Sequence, residues 1–167
     1  MSISDTTVAD DGGTGIRFSD DNSDLSISNT AVTRTTFDGI SFSVNKSNAT
    51  IANTIVTDAG GSGISFTRDN SNMSIAATTI TDAINGIFIG LNNSIALNDS
   101  TLAGTFQADG IHIANAGNTL SGGNNTAAGA TFGAGGAGQF CEVTGAQTGS
   151  FAFVDDGTGN PATCPPP

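Results

Sequence analysis

The sequence predicts an all-β fold, a parallel β-solenoid of about five coils of 24 residues each. Three observations predict it: a regular series of Gly-Ile pairs, short stretches of alternating apolar and polar residues, and a composition poor in helix formers. The chain has 167 residues with 23 Gly, and Glu142 is the single Glu among fifteen acidic residues. Because Asp and Gly favour turns whereas Glu favours helices, this composition indicates short strands joined by many turns.

The repeat is carried by apolar positions that recur once per coil. Within each unit, apolar residues two positions apart follow the period of a β-strand. One unit cannot bury these side chains alone, so successive units must stack about 4.8 Å apart and turn each position into an internal column. Three columns are predicted to point inward: Ile3, Ile27, Ile51, Ile75 and Leu97; Ile16, Ile40, Ile64, Ile87 and Ile111; and Phe18, Phe42, Phe66, Ile89 and Ile113.

Polar residues recur at the same spacing. One column is predicted to form an amide ladder at a sharp bend, and a second to form a row in which Arg34 lies between acids. A third is predicted to be an outward hydroxyl row, and we take it as the candidate ligand-binding surface. The amide ladder consists of Asp5, Asn29, Asn53 and Asp99. The row around Arg34 consists of Asp10, Arg34, Asp58 and Asp82. The hydroxyl row consists of Thr6, Thr30, Thr54, Thr78 and Ser100.

One complete unit reads Leu-Ser-Ile-Ser-Asn-Thr over 25–30, then Val32, a variable turn and Gly-Ile-Ser-Phe over 39–42. This pattern resembles the repeat of the pectin-lyase-like, right-handed parallel β-helix superfamily, and the resemblance covers residues 1 to about 117. It implies a right-handed coil with three short sheets and a roughly L-shaped cross-section. The superfamily includes polysaccharide lyases, polygalacturonases, phage tailspikes and bacterial surface adhesins, so the resemblance implies the fold rather than one function.

After residue 117 the period decays. We predict β-helix coils over 1–117, and a Gly-rich degenerate coil with a C-terminal cap over 118–167; a flexible linker is the alternative for 118–139. Both cysteines, Cys141 and Cys164, lie in this region, and a disulfide between them is predicted to close the cap outside the cytosol. No basic or apolar leader follows Met1, so we expect a piece of a longer exported protein, present at the cell surface or outside the cell.

The polysaccharide-cleaving members of the superfamily suggest specific chemistry to test. The string from Asp109 to Ile113 is similar to part of one polygalacturonase motif, but the other motifs of that family are missing. The same Asp-Gly-Ile string begins at Asp38, so we interpret Asp109 as a turn residue of the repeat. His112 is the sole histidine and has no cysteine or second histidine as a metal partner, so we interpret it as a strand residue. No catalytic or metal-ligating residue is predicted.

Calcium is the one cofactor that the sequence leaves open. Asp20, Asp21 and Asp24 are one acidic group, and Asp69 lies two coils away, about 10 Å along the stack. That separation is too large for shared ligation, so we interpret these residues as a solvated acidic edge. Arg17 and Arg68 are cationic candidates for a lyase-like base by composition alone.

Charge limits the partners. A formal charge of −11 excludes binding to a phosphate backbone, and no apolar run is long enough to span a membrane. We therefore predict a non-catalytic exported module for adhesion, surface structure or assembly, with glycans or cell-surface molecules as partners and with end-to-end self-association. The alternatives are a carbohydrate-active enzyme that acts on acidic polysaccharide, and an ice-binding protein that uses the Thr row.

Overall fold

A computed structural model describes residues 1–19, 21, 23–44, 46–133 and 138–166, and it confirms the all-β parallel solenoid. The described residues form nineteen strands and no α-helix. Corresponding strands of successive coils pair in parallel along three faces. Face 1 consists of β1 (Ser2–Ser4), β4 (Ser26–Ser28), β7 (Thr50–Ala52), β9 (Met73–Ala76), β11 (Ser94–Asn98), β14 (Thr119–Ser121) and β17 (Thr148–Gly149).

Faces 2 and 3 belong to one larger sheet because two long strands run through both. The long strands are β8 (Ile55–Arg68) and β10 (Thr79–Leu91). Face 2 also contains β2 (Thr7–Ala9), β5 (Ala31–Thr35), β12 (Thr101–Phe106) and β15 (Thr131–Phe132). Face 3 also contains β3 (Ile16–Phe18), β6 (Ile40–Val44), β13 (Ile111–Ile113) and β16 (Cys141–Val143).

The core is the set of inward columns that the repeat predicts. The paired residues follow the predicted register, for example Ile40 with Ile64. Every member of the three predicted columns is buried except Ile3, which is partly exposed. The rings of Phe18, Phe42 and Phe66 stack with centroids 5.1 and 5.2 Å apart. Stacking like on like therefore builds one continuous apolar core through the coils.

The bends between faces are made by stacked residues with positive φ. At the bend after face 1, the side chain of Asn29 donates to the Asp5 carboxylate at 3.2 Å, as the predicted ladder requires. Asn and Asp tolerate the left-handed conformation better than most residues, which explains their abundance at these bends. The members of this column are Asp5, Asn29, Asn53, Ala77 and Asp99, with φ between 48° and 52°.

The positive φ of this column also explains why the predicted direction of the Thr row is wrong. A left-handed residue interrupts the strict alternation of a strand, so the side chain that follows it turns inward instead of outward. Each hydroxyl donates to the carbonyl two residues earlier, as Thr54 does to Ala52 at 3.0 Å. Thr6 is exposed, but the exposed fractions of Thr30, Thr54, Thr78 and Ser100 are 2, 1, 1 and 5%.

A second amide column is buried inside the solenoid, at the bend between faces 3 and 1. Asn70, Asn93 and Asn118 are essentially inaccessible to solvent. The Nδ2 of Asn70 donates to Oδ1 of Asn93 at 2.9 Å, and the Nδ2 of Asn93 donates to Oδ1 of Asn118 at 3.2 Å. Each Oδ1 also accepts a backbone N–H from the preceding coil. The column therefore joins three coils through side chains as well as through their strands.

Beyond residue 117 the solenoid continues. Strands β14, β15 and β16 pair with the fifth coil and form a sixth, so the linker alternative is wrong for the described residues between 118 and 139. An antiparallel hairpin of β18 (Phe151–Phe153) and β19 (Ala162–Cys164) follows, and it buries Phe151 and Phe153 against this coil. The predicted Cys141–Cys164 disulfide is present and ties the hairpin to β16. The boundary at residue 117 stays a prediction.

Candidate functional site

The outer surface of face 3 changes character along the stack. Its central outward column is formed by equivalent residues of six coils, which pair with one another in register. The first three are an arginine and two serines, and the last three carry side chains that are larger than serine. The column reads Arg17, Ser41, Ser65, Phe88, His112 and Glu142.

Two carboxylates converge on the histidine of this column. The Nδ1 of His112 lies 2.9 Å from Oδ2 of Asp109 and 2.6 Å from Oε2 of Glu142. The side-chain exposures of Asp109, His112 and Glu142 are 7, 26 and 42%, so the cluster runs from a buried acid to an exposed one. Phe88 stacks on the imidazole with centroids 5.6 Å apart and planes at 10°, which fixes the orientation of the ring.

Asp109 has two roles, one for each carboxylate oxygen. Its Oδ1 accepts the backbone N–H of Gln139 in the next coil at 2.8 Å. The equivalent Asp38 accepts the N–H of Ser62 at the same distance, so this contact is the turn function that the sequence predicts. The second oxygen of Asp109 faces His112 instead. The hydrogen bond to Gln139 therefore holds the buried carboxylate of Asp109 beside the imidazole of His112.

The sequence did not predict this cluster because Glu142 does not follow the 24-residue repeat. It follows His112 by 30 residues, whereas the spacing elsewhere is close to 24, because the sixth coil contains the Gly-rich insertion. The available signal was an alignment of Cys141-Glu142-Val143 with Ile111-His112-Ile113, which form paired strands. A site with one His and two carboxylates also lacks the Cys and His spacings by which metal sites are recognised in a sequence.

The imidazole of His112 lies between the two carboxylates, in the position that a glycoside hydrolase leaves for its substrate. A retaining enzyme holds its carboxyl groups about 5–5.5 Å apart and leaves the space between them for the glycosidic bond. Here the ligand atoms of the three side chains all lie within 4.8 Å of one another, and the imidazole nitrogen lies between the carboxylates. The arrangement can share a proton, polarise a bound hydroxyl, or hold a cation.

Among the described residues, the acidic edge does not assemble into a comparable cluster. Asp20 lies outside the described residues. The carboxylate of Asp24 accepts from Asn48 at 3.2 Å, and that of Asp69 accepts from Asn92 at 3.1 Å. These carboxylates therefore act as links between coils at the bends.

Face 2 carries a shallow groove of about 530 Å³, lined by Arg34, Asp58, Asp82, Thr105 and Gln107 among others. The guanidinium of Arg34 makes two hydrogen bonds to the Asp10 carboxylate, at 2.5 and 2.9 Å. The hydrogen bond and positive charge of Arg34 lower the pKa of Asp10. A second cavity, of about 610 Å³, lies at the C-terminal hairpin and is lined by Phe140, Phe153 and Pro161 among others. Neither cavity includes the His112 cluster.

The described part of the chain holds no helix that is long and apolar enough to cross a membrane.

Residues 1–154 match the family model described as "Right handed beta helix region". No curated protein matches the sequence. Among solved structures, the chain is similar to an alginate lyase from Paenibacillus sp. str. FPU-7, with 12% identity and a TM-score of 0.53 over 90% of this chain. It is also similar to tailspike protein 2 of Escherichia coli O157:H7 bacteriophage CAB120, with 16% identity and a TM-score of 0.52 over 90% of this chain. The chain spans 65% of the lyase and 19% of the tailspike.

Proposed function

The chain belongs to the right-handed β-helix family, and on that premise we propose that it is an exported, non-catalytic module that binds polysaccharide through face 3. The observation that carries the proposal is the change of the outward column from Ser65 to Phe88, His112 and Glu142. The disulfide fits an oxidising compartment, and the similar proteins include a phage tailspike and an alginate lyase.

The chemistry of this surface suits a sugar chain. One face of the Phe88 ring stacks on His112, and the other is directed toward Ser65, whose small side chain leaves room beside it. An apolar ring face packs against the C–H groups of a pyranose, while carboxylate and imidazole groups hydrogen-bond its hydroxyls. Along a flat sheet, several weak contacts of this kind add up when the ligand is a polymer.

The test is binding of the purified chain to a panel of neutral and acidic polysaccharides, measured by calorimetry. Phe88→Ala should weaken binding about tenfold, the effect of losing one aromatic contact of about 1 kcal/mol or slightly more. The matched control is Phe37→Ala, which removes an exposed ring away from the His112 cluster and should leave the affinity unchanged. Equal losses in both variants, or no binding to any polysaccharide, would contradict the proposal.

A carbohydrate-active enzyme is the second candidate, and the His112 cluster is the observation that favours it. A lyase for acidic polysaccharide needs a base that removes the proton next to the uronate carboxyl group. The C–O bond at the neighbouring carbon then breaks, and its electron pair leaves with the oxygen. Because Nδ1 of His112 faces the two carboxylates, the other ring nitrogen, Nε2, would be that base. Release of unsaturated products from alginate or polygalacturonate, absent in His112→Ala, would establish this function and overturn the non-catalytic one.

The ice-binding alternative loses its surface because most of the Thr row is buried. A ligand-binding role for Thr30, Thr54 and Thr78 would require the bend after face 1 to open, because these side chains are buried. End-to-end self-association stays a prediction.

A further inference from the structure

We propose that Asp109, His112 and Glu142 form a binding site for one divalent transition cation of the zinc class. The proposal concerns the unliganded protein, and it holds whether or not face 3 binds polysaccharide. It rests on the convergence of one imidazole nitrogen and two carboxylate oxygens at a single point of the surface.

The spacing of the ligand atoms is close to what a small cation requires. Zinc bonds to imidazole nitrogen and carboxylate oxygen are about 2.0–2.2 Å long, and in tetrahedral geometry this places neighbouring ligand atoms about 3.3–3.6 Å apart. The observed separations from His112 Nδ1 are 2.9 Å to Asp109 and 2.6 Å to Glu142. An ion would therefore lengthen the two separations from Nδ1 by several tenths of an ångström to about one ångström. The two carboxylate oxygens, which lie within 4.8 Å of each other, would take up the same spacing around the ion. Glu142 can supply this movement because its side chain is the most exposed of the three.

Two of the three ligands are held in place before any ion arrives. Oδ1 of Asp109 is fixed by the N–H of Gln139, which leaves Oδ2 directed at the cluster. The imidazole is oriented by the stacked ring of Phe88. Preorganisation of this kind lowers the cost of binding, and contacts that orient metal ligands are typical of metal sites.

The negative charge of the two carboxylates also favours a bound cation. The four Lys and Arg residues of the chain lie at positions 17, 34, 46 and 68, so the sequence has no Lys or Arg after position 68. A bound cation would therefore be the positive charge that balances the two carboxylates. A single N–H on Nδ1 can be directed well at only one of the two oxygens, whereas a metal ion coordinates all three atoms at once.

The donor set selects the class of ion. Calcium takes six to eight oxygen ligands, and a nitrogen donor is poorly suited to it. Imidazole together with carboxylate suits zinc and its neighbours, and three protein ligands with an open fourth position are the arrangement of zinc sites that bind a further ligand. Because Glu142 is at the exposed side, the open position would face solvent.

The experiment is titration of Zn²⁺ into the full chain, stripped of metal by a chelator, with calorimetry as the readout and no glycan present. We expect one ion per chain, and excess Ca²⁺ should not displace it. Loss of even an outer-shell contact weakens metal affinity about 10–100-fold, so His112→Ala should cost at least about 100-fold. Co²⁺ in place of Zn²⁺ should give a visible absorption spectrum that disappears in the same variant.

The matched control is Asp38→Asn, set against Asp109→Asn. Both carboxylates accept a backbone N–H of the next coil at 2.8 Å, but Asp38 has Ser41 where Asp109 has His112. We expect only Asp109→Asn to weaken zinc binding. If a change at His112 disturbs folding, Glu142→Gln is the additional variant. Glu142 is the most exposed of the three ligands, so the circular dichroism of this variant should match that of the parent chain.

Three results would overturn the proposal: no binding to the parent chain, equal binding to the parent and His112→Ala, or displacement of zinc by calcium. The second would indicate adventitious binding to the acidic surface, and the third a site made of oxygen ligands alone. Because no polysaccharide is present, none of these results bears on the glycan-binding proposal.

Discussion

The buried amide column gives the sharpest test of how the coils are held together. Asn93→Ala removes the Oδ1 that accepts the N–H of Asn70 at 3.2 Å and its Nδ2 at 2.9 Å. It also removes the donor to Asn118. The orphaned backbone N–H costs about 1–3 kcal/mol, and the two further hydrogen bonds cost about 1 kcal/mol each. We therefore expect the free energy of unfolding to fall by about 3–5 kcal/mol.

Urea unfolding followed by far-UV circular dichroism is the suitable assay, because the chain has neither Trp nor Tyr as a fluorescent probe. The control is Asn53→Ala. Asn53 is exposed at the bend after face 1, where the fourth coil has Ala77 with φ of 48°. The repeat already holds alanine at the equivalent position, so we expect the variant to fold and to lose about 1 kcal/mol, the cost of the left-handed conformation for alanine.

Equal losses of stability in Asn93→Ala and Asn53→Ala would contradict this prediction. That result would mean that the buried amides are held by the strands and contribute no more than exposed ones. A change in the slope of the unfolding free energy against urea, rather than in its midpoint, would likewise point to altered unfolding and not to lost hydrogen bonds.

Three further predictions concern the core, the disulfide and the surface ion pair. Ile64→Asp should unfold the chain, because an unpaired charge would be buried among the apolar side chains of the coils above and below it. Ile55→Asp, at an exposed position of the same strand, should leave the circular dichroism and the melting temperature nearly unchanged. Cys141→Ser should lower the unfolding free energy by about 3 kcal/mol in the chain-entropy account, measured in urea against the oxidised parent; an unchanged midpoint would contradict it. Arg34→Gln should reduce the melting temperature slightly at neutral pH and not in strong acid. This sign follows because Arg34 lowers the pKa of Asp10, so the stabilisation is present above the unfolded pKa and is lost as pH falls through the folded one; an effect that grows in acid would refute it.

The inward columns were predictable because a stacked repeat forces equivalent residues into equivalent environments. Once Ile40 and Ile64 are recognised as equivalents, their pairing and burial follow from the strand period alone. The direction of the Thr row was not predictable from that period. It depends on the backbone of the preceding residue, such as Asn53, whose φ of 49° reverses the side of Thr54.

The candidate site was harder to predict because it joins a regular coil to an irregular one. Asp109 and His112 belong to the repeat, and each has an ordinary structural interpretation when it is read alone. Glu142 comes from the coil in which the period has decayed, so nothing in its spacing indicates that it reaches His112. Side chains that meet across such a junction become visible only when the register of β13 and β16 is known.

The coil-by-coil pairing has a consequence for how such a chain can change its length. Each coil contacts chiefly the coils directly above and below it, and the Gly-Ile pairs that mark the coils are 23 or 24 residues apart. Duplication or loss of one whole coil between Gly15 and Gly63 would therefore shift the first coils along the stack by about 4.8 Å and re-form equivalent pairings. Asp109, His112 and Glu142 would be undisturbed, because they are built from the two coils next to the C-terminal hairpin. Rod length and surface chemistry can thus evolve separately in this architecture.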